Sequence, residues 1–212
     1  MIRILLVDDH AILREGLRAL LSYYPDVEVV GEAEDGVIAI EKVNSLSPDI
    51  VLMDIAMPGM NGLEATSIIH QKFPKTQILI LTQYDDEQYV LPLLRAGAAG
   101  YILKRALGSD LIKAIHAIAQ GESFLYPSVV TTVLEQLRNP EETDIEHANV
   151  LTNREEDIML RVANGDTSRQ IANDIGISAK TVEWHRRNLM NKIGVRSVAE
   201  LVRYAMQHGL VK

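Results

Sequence analysis

A doubly wound α/β sheet followed by a small all-helical domain is the fold that this sequence predicts. Three observations carry the prediction: five short apolar runs, amphipathic stretches between them with apolar residues three and four apart, and a purely helical spacing after residue 150. The runs are IRILLV (2–7), VEVVGEA (27–33), DIVLM (49–53), QILIL (77–81) and GYIL (100–103). Each is short, partly β-branched and apolar on both faces, as a strand buried in a parallel sheet must be. Between the first two, Ile12, Leu13, Leu17, Leu20 and Leu21 mark a helix, and before the third Val37, Ile40 and Val43 mark another. Such alternation gives a doubly wound parallel sheet with helices on both faces. The expected bounds are 1–125 for this unit, 126–149 for a linker helix and acidic connector, and 150–212 for the helical domain.

Composition narrows the function classes. The 212 residues carry a net charge of −8 and no cysteine, which excludes disulfides, thiolate metal sites and cysteine nucleophiles. The first residues, MIRILLVDDH, are too short and wrongly flanked for a signal peptide, and no run approaches the ~18 apolar residues of a membrane span, so a cytoplasmic protein without a membrane partner is expected. Charge is uneven along the chain. Residues 1–127 hold 10 basic and 17 acidic side chains, 128–149 hold 1 and 5, and 150–212 hold 10 and 7. Only the last part is net basic and suited to a polyanion, and the acidic segment RNPEETDIEHANV before it has the composition of a solvated linker.

Ligands of a doubly wound sheet bind beyond the C-terminal strand ends. The residues there are Asp8 and Asp9 after the first run, Asp54 after the third, Thr82 after the fourth and Lys104 after the fifth. Each alone is an ordinary turn, cap or solvated residue. Together, three carboxylates on one rim repel one another unless a lysine and a hard, oxygen-liganded cation, most simply Mg²⁺, neutralise them. No phosphate-cradling glycine loop is present, so the chemistry points to a carboxylate nucleophile toward phosphorus, with Asp54 as the candidate. Pro58 and Gly62 shape the loop after Asp54, where glycine admits positive φ. Met53, Met57 and Met60 read as packing residues, and His10, His70 and His116 as scattered surface or helix residues.

The pair Asp8-Asp9, the motif DIAMPGMNGLE around Asp54, LTQYDDEQYV at Thr82 and GYILKRA at Lys104 resemble the receiver domain of two-component response regulators. The resemblance implies a flavodoxin-like (βα)5 fold, Asp54 as phosphoacceptor and Asp9, Asp54 and the Ala56 carbonyl as Mg²⁺ ligands, with Asp8 acting mainly through water. It further implies that Lys104 pairs with the phosphoryl oxygens while Thr82 bonds one of them and draws Tyr101 inward as the switch. A sensor histidine kinase is the implied phosphodonor. A haloacid-dehalogenase-like phosphatase also places an Asp nucleophile after a strand, but it resembles the form Asp-x-Asp, and the second acid is Ala56 here. The chain is therefore not expected to be an enzyme in the usual sense.

Beyond Leu151, four helices are expected: LTNREEDIMLRVANG, DTSRQIANDIG, ISAKTVEWHRRNLMNKIG and SVAELVRYAMQHG. Thr152 with Glu155 forms a capping box, Thr167 opens the second helix and Ser178 caps the third. A short turn with Gly176 between the second and third gives a helix-turn-helix. Ile171, Ala172, Ile175, Ile177, Val182, Leu189 and Ile193 make the shared core, and Lys180, Glu183, Trp184, Arg187 and Asn191 line the opposite stripe of the third helix. LTNREE, IANDIGIS, TVEWHR and MNKIGV resemble the LuxR-type domain of the NarL/FixJ regulators. That resemblance implies double-stranded DNA as partner, Glu183, Trp184 and Arg187 as groove-facing residues, and Lys180, Thr181, Asn188 and Lys192 as phosphate contacts. The expected protein is a DNA-binding transcriptional regulator controlled by phosphorylation of Asp54. It is expected to form a homodimer when phosphorylated or on DNA through Val198, Leu201, Val202, Ala205 and Met206, with RNA polymerase an open further partner. A receiver-bearing interaction scaffold that does not read DNA is the alternative.

Overall fold

The computed structural model describes residues 1–82, 87–104, 108–138, 151, 153–175, 179–208 and 210. They fall into two units, Met1–Glu135 and Gln136–Lys212. The first contains β1 (Ile2–Val7), α1 (Ala11–Leu21), β2 (Val27–Ala33), α2 (Gly36–Leu46), β3 (Ile50–Asp54), α3 (Gly62–Lys72), β4 (Gln77–Thr82), α4 (Glu87–Arg95), β5 (Gly100–Leu103), α5 (Ser109–Ala119), β6 (Phe124–Leu125) and α6 (Pro127–Arg138). The strands are all parallel, in the order β2-β1-β3-β4-β5-β6. This is the flavodoxin-like receiver fold that the sequence predicts. The added β6 pairs Gly100 with Phe124 and Tyr101 with Leu125, and two residues are too few to show a period.

The side-chain period of two sorts each strand between two faces. Ile4, Leu6, Ile50, Leu52, Leu79, Leu81 and Ile102 pack with Leu17 and Leu21 of α1 and with Leu111 and Ile115 of α5 in one buried cluster. Their neighbours Leu5, Val7, Val51, Met53, Ile78 and Ile80 are buried as well, which the alternation turns to the opposite face. That double burial explains why the strands read as continuous apolar runs. The strand order reverses at β1, which pairs with both β2 and β3. Val7 pairs with Met53 and Asp54 with Leu81, so Asp8 and Asp54 leave the sheet side by side at the crevice where such sheets hold ligands.

The division between the units falls inside α6, and residues 139–150 of the acidic connector lie outside the described residues. The second unit contains α7 (Asn153–Ala163), α8 (Ser168–Ile175), α9 (Ala179–Lys192) and α10 (Val198–Gln207). Ile158, Met159, Val162, Ile171, Ala172, Val182, Leu189, Leu201 and Ala205 form its core, with Ile175 and Ile193 packed at its edge. Expected Ile177, together with Thr152, Gly176 and Ser178, lies outside the described residues. Thr167 starts α8 through a reciprocal cap: its Oγ1 accepts from Gln170 N–H at 3.3 Å, and Gln170 Oε1 accepts from Thr167 N–H at 2.9 Å. Ser197 and Glu200 do the same work at α10, where Ser197 Oγ accepts from Glu200 N–H. Among the described residues no helix is long and apolar enough to cross a membrane.

Candidate functional site

The strand ends bring the expected acidic cluster together. Asp8 and Asp54 are 1% and 4% exposed, Asp8 just after the apolar run Ile4–Val7 and Asp54 at the end of β3. Lys104, directly after β5, reaches back between them, with Nζ 2.6 Å from Asp8 Oδ2 and 3.0 Å from Asp54 Oδ1. Asp54 Oδ1 also accepts from the Ile55 backbone N–H at 2.9 Å. Asp8 is fixed from behind, since its N–H donates to the Ala33 carbonyl and its own carbonyl accepts from Arg14 at 2.6 Å. Asp9 lies in the same pocket, so that Asp8, Asp9, His10 and Asp54 each offer one ligand atom within 4.8 Å of the others.

Burial decides the electrostatics. It pushes the Asp54 carboxyl up to about 6 even though Lys104 pulls the other way, and the nearby Asp8 charge adds to the rise. Burial pulls Lys104 down, but the charges of Asp54 and Asp8 outweigh it and its ammonium ends above the usual range. At neutral pH one ammonium thus faces three carboxylates in a nearly dry pocket. The donors are hard oxygens in excess negative charge, a set that fits Mg²⁺ and not a soft metal.

The loop after β3 holds Asp54 by close contact. Gly62 opens α3 and donates to the Ile55 carbonyl at 3.0 Å, and a Cβ there would collide with the Asp54 carbonyl oxygen. The sequence pattern suggests a positive φ at Gly62. That φ belongs instead to Gly59, at 70°, and Gly62 is needed for proximity. Asn61 caps α3 by accepting from Glu64 N–H, and Ala56 is half-buried in the turn. Thr82 ends β4 and is buried. Tyr101, expected to swing inward, is already fully buried, on a strand that β6 pairs along its other side. His10, expected as a surface or helix residue, stands part-exposed at the N-cap of α1, and its ring nitrogen Nδ1 also lies 2.7 Å from Asp9 Oδ1 and 3.1 Å from Asp8 Oδ1. Its only sequence signal is adjacency to the acid pair.

In the second unit, α9 turns Val182, His185 and Leu189 inward and Glu183, Arg187 and Asn191 outward. The outward three share a shallow cleft with Arg186, Met190, Val195 and Arg196. Arg186 also donates to Ser168 Oγ at 2.8 Å, which ties α9 to α8. Neither Arg186 nor Arg196 stands out in the sequence, because Arg196 lies on the α9–α10 loop outside the helical stripe. Asn188 is half-buried, Thr181 is buried, and Lys192 forms an ion pair at 3.0 Å with buried Glu155. The side chains of Lys180 and Trp184 lie outside the described residues. On α10, Leu201 and Ala205 belong to the core, while Val198 and Met206 are exposed and Val202 is half-buried.

Residues 4–116 match the family of response regulator receiver domains, and residues 149–205 match the luxR family of bacterial regulatory proteins. The oxygen regulatory protein NreC of Staphylococcus carnosus is 41% identical over 214 residues, covering 99% of both chains. Among solved structures, RcsB of Salmonella enterica serovar Typhimurium, bound to promoter P1flhDC in the presence of phosphomimetic BeF3-, is 28% identical with a TM-score of 0.60 over 96% of this chain and 97% of that one. A structure of two RcsB dimers bound to two parallel DNAs has 27% identity and a TM-score of 0.60 over 97% and 98% of the two chains.

Proposed function

This chain belongs to the two-component response regulators that join a receiver to a LuxR-family DNA-binding domain, and on that premise we propose that a histidine kinase phosphorylates Asp54 in a Mg²⁺-dependent reaction that controls DNA binding. The observation that carries the proposal is the buried meeting of Asp54, Asp8 and Lys104 at the reversal point of the sheet, with Asp9 beside them. The family is one of transcriptional regulators and not a family of catalytic enzymes.

Ile55 N–H and Lys104 both hold Asp54 Oδ1, which orients Oδ2 as the nucleophile. Oδ2 attacks the phosphorus of the kinase's phosphohistidine. The P–O bond forms as the P–N bond breaks, the electron pair returns to the imidazole, and an acyl phosphate is left on Asp54. Asp9, Asp54 and the Ala56 carbonyl would hold the cation, with Asp8 behind a water; when bound, it supplies positive charge beside the transferring oxygens. Lys104 then exchanges a carboxylate partner for a phosphoryl oxygen, and the Thr82 hydroxyl donates to another. Because Tyr101 starts buried, its part is to repack against a moved Thr82.

Glu183, Trp184 and Arg187 are the proposed groove residues, since an arginine forks onto guanine and a glutamate accepts from cytosine N4. Arg186 and Asn191 join them because they share the same cleft, and Arg196, on the loop that lines it, stands as a phosphate contact. Lys180, Thr181, Asn188 and Lys192 stand as candidates for phosphate contact, and of these Thr181 would have to leave a buried position and Lys192 its ion pair with Glu155. Val198, Val202 and Met206 leave one apolar stripe on α10 for a second copy, so that two α9 helices address two half-sites. The RcsB dimers on DNA support this reading.

Mass spectrometry after treatment with a small phosphodonor and Mg²⁺ tests the assignment. One phosphoryl group is expected on the wild type and none on Asp54→Asn, because an amide is no nucleophile. A phosphoryl group retained by that variant sinks the assignment. A mobility shift on genomic fragments, with and without phosphodonor, separates a DNA-reading regulator from a scaffold that works through protein partners alone.

A further inference from the structure

We propose that Arg14 is a positioning residue that fixes the peptide between Asp8 and Asp9, and with it the direction from which the Asp9 carboxylate meets the cation; the inference rests on the phosphotransfer reading above. Arg14 lies in the first turn of α1, with its side chain 15% exposed. Its guanidinium spans two elements: Nη1 donates to the Asp8 carbonyl at 2.6 Å, and Nε donates to Glu32 Oε2 at 3.0 Å. Glu32 stands on β2, paired with Leu6 of β1. It is held in turn, since Arg18 Nε donates to its other oxygen at 2.7 Å and the Lys42 ammonium donates to its backbone carbonyl. Burial pushes the Glu32 carboxyl up, but the guanidiniums of Arg18 and Arg14 outweigh it and hold it below the usual carboxylate range. Arg14 therefore works from an anchored, ionised carboxylate.

A peptide group is planar, so the Asp8 carbonyl and the Asp9 N–H turn as one body. The Asp8 N–H donates to the Ala33 carbonyl of β2 at 3.1 Å, and the Asp8 carbonyl accepts from Arg14. β2 thus fixes both ends of the residue, once directly and once through Glu32. Rotation of the following peptide plane would swing the Asp9 Cα–Cβ bond, and Asp9 belongs to a group whose ligand atoms fall within 4.8 Å of one another. The planar fork of arginine grips a carbonyl and a carboxylate at once, whereas the lysine ammonium is a point charge on a flexible stem. Residues that hold the ligands of a metal without touching the metal are typically worth about 10- to 100-fold in its affinity. Charge acts in the opposite direction: a guanidinium near the pocket repels a divalent cation, so its removal would tighten Mg²⁺ if charge were all that Arg14 supplied.

Titration calorimetry of the full-length protein with Mg²⁺ compares the wild type with Arg14→Met, which keeps the aliphatic stem, and Arg14→Lys, which keeps the charge. Both are expected to weaken Mg²⁺ by about tenfold. Glu32→Ala is expected to weaken it less, and to add nothing in the Arg14→Met background, because Glu32 acts through Arg14. Thr76→Val is the control for general stability, since it removes a buried hydrogen bond to the Pro48 carbonyl at the opposite end of the sheet. It is expected to lower the thermal midpoint and to leave Mg²⁺ affinity unchanged. Labelling by a small phosphodonor slows in the Arg14 variants at limiting Mg²⁺ and recovers at saturating Mg²⁺. Wild-type or tighter affinity in Arg14→Met, wild-type affinity in Arg14→Lys, or losses from Arg14 and Glu32 that add in the double variant overturn the proposal. A loss in Thr76→Val as large as that in Arg14→Met also overturns it. Should Arg14→Met fail to fold, Arg14→Lys carries the test. If the wild type itself bound no Mg²⁺, the phosphotransfer reading would fall along with this inference, whereas a wild type that binds and Arg14 variants that match it would sink this inference alone.

Discussion

The rim of the sheet and the outer face of α9 both gather charged side chains, yet the first buries them and the second leaves them in water. At the rim, Lys104 lies within 3.0 Å of both Asp8 and Asp54, and the two acids have almost no exposure. On α9, Glu183, Arg187 and Asn191 are turned outward along one stripe. Attraction and repulsion between charges are strong where water is excluded and weak where it is not. The rim can therefore store a charge imbalance that a metal and a phosphoryl group resolve, which is the requirement of a switch. The α9 face keeps its groups solvated until a polyanion displaces the water, which is the requirement of a reader that must release its site.

The widest gap between the two regions should appear on removing one cation from each. Lys104→Ala leaves two buried carboxylates uncompensated, and breaking a buried pair in this way costs about 3–5 kcal/mol. Urea unfolding at pH 7.5 in chelator is expected to show that loss, with part of it restored by Mg²⁺. Arg187→Ala, by contrast, is expected to change stability by less than about 0.5 kcal/mol, as for other surface substitutions. Equal stability effects would mean that the rim is as solvated as the reading face.

A smaller effect sharpens the contrast through pH. The folded Asp54 carboxyl stands near 6 against an ordinary value of 3.8, so the folded state holds that proton more tightly than the unfolded chain. Its contribution to stability is complete below 3.8 and is lost as pH rises through about 6. In chelator, the wild type should therefore lose melting temperature between pH 5 and pH 7.5 by more than Asp54→Asn does, a comparison that cancels the other titrating groups. Because the cation needs the ionised carboxyl, Mg²⁺ affinity should fall below pH 6 over the same window. An Asp54→Asn profile parallel to the wild type would place Asp54 in contact with solvent.

How far the sequence tells these regions apart depends on what each property requires. Asp8, Asp9, Asp54, Thr82 and Lys104 are legible because strand ends can be read from apolar runs, and a parallel sheet aligns those ends on one rim. The added strand β6 beside Tyr101 is not legible, because its two residues carry no period. The position of His10 is not legible either: a ring beside two acids takes its direction from the local backbone at the start of α1, and the sequence shows only adjacency. The need for Gly62 is visible, but its reason is not, since close approach to the Asp54 carbonyl is a property of the folded loop. On α9 the 3.6-residue period correctly separates Val182 and Leu189 from Glu183 and Arg187, whereas the ion pair that engages Lys192 depends on Glu155 of α7, which lies 37 residues away.

That last pair gives the smallest and most discriminating prediction, because it separates two cations of the same domain. Lys192 holds Glu155, whose side chain is 5% exposed, while Arg196 lines the open cleft beside Arg187. If burial sets the role, Lys192→Ala leaves a buried carboxylate without its ammonium and lowers the thermal midpoint of the protein. DNA affinity measured below that midpoint should then keep its dependence on salt. Arg196→Ala should leave the midpoint unchanged and reduce the slope of log affinity against log salt by about 1, the value expected when one phosphate is no longer neutralised. It should also weaken all sequences alike, since a loop arginine on the backbone carries no base preference, whereas Arg187→Ala should relax preference at one base pair. Reversed results, with a reduced slope for Lys192→Ala and none for Arg196→Ala, would show that the Glu155 pair opens on DNA and that α9 uses its paired lysine as a reader after all.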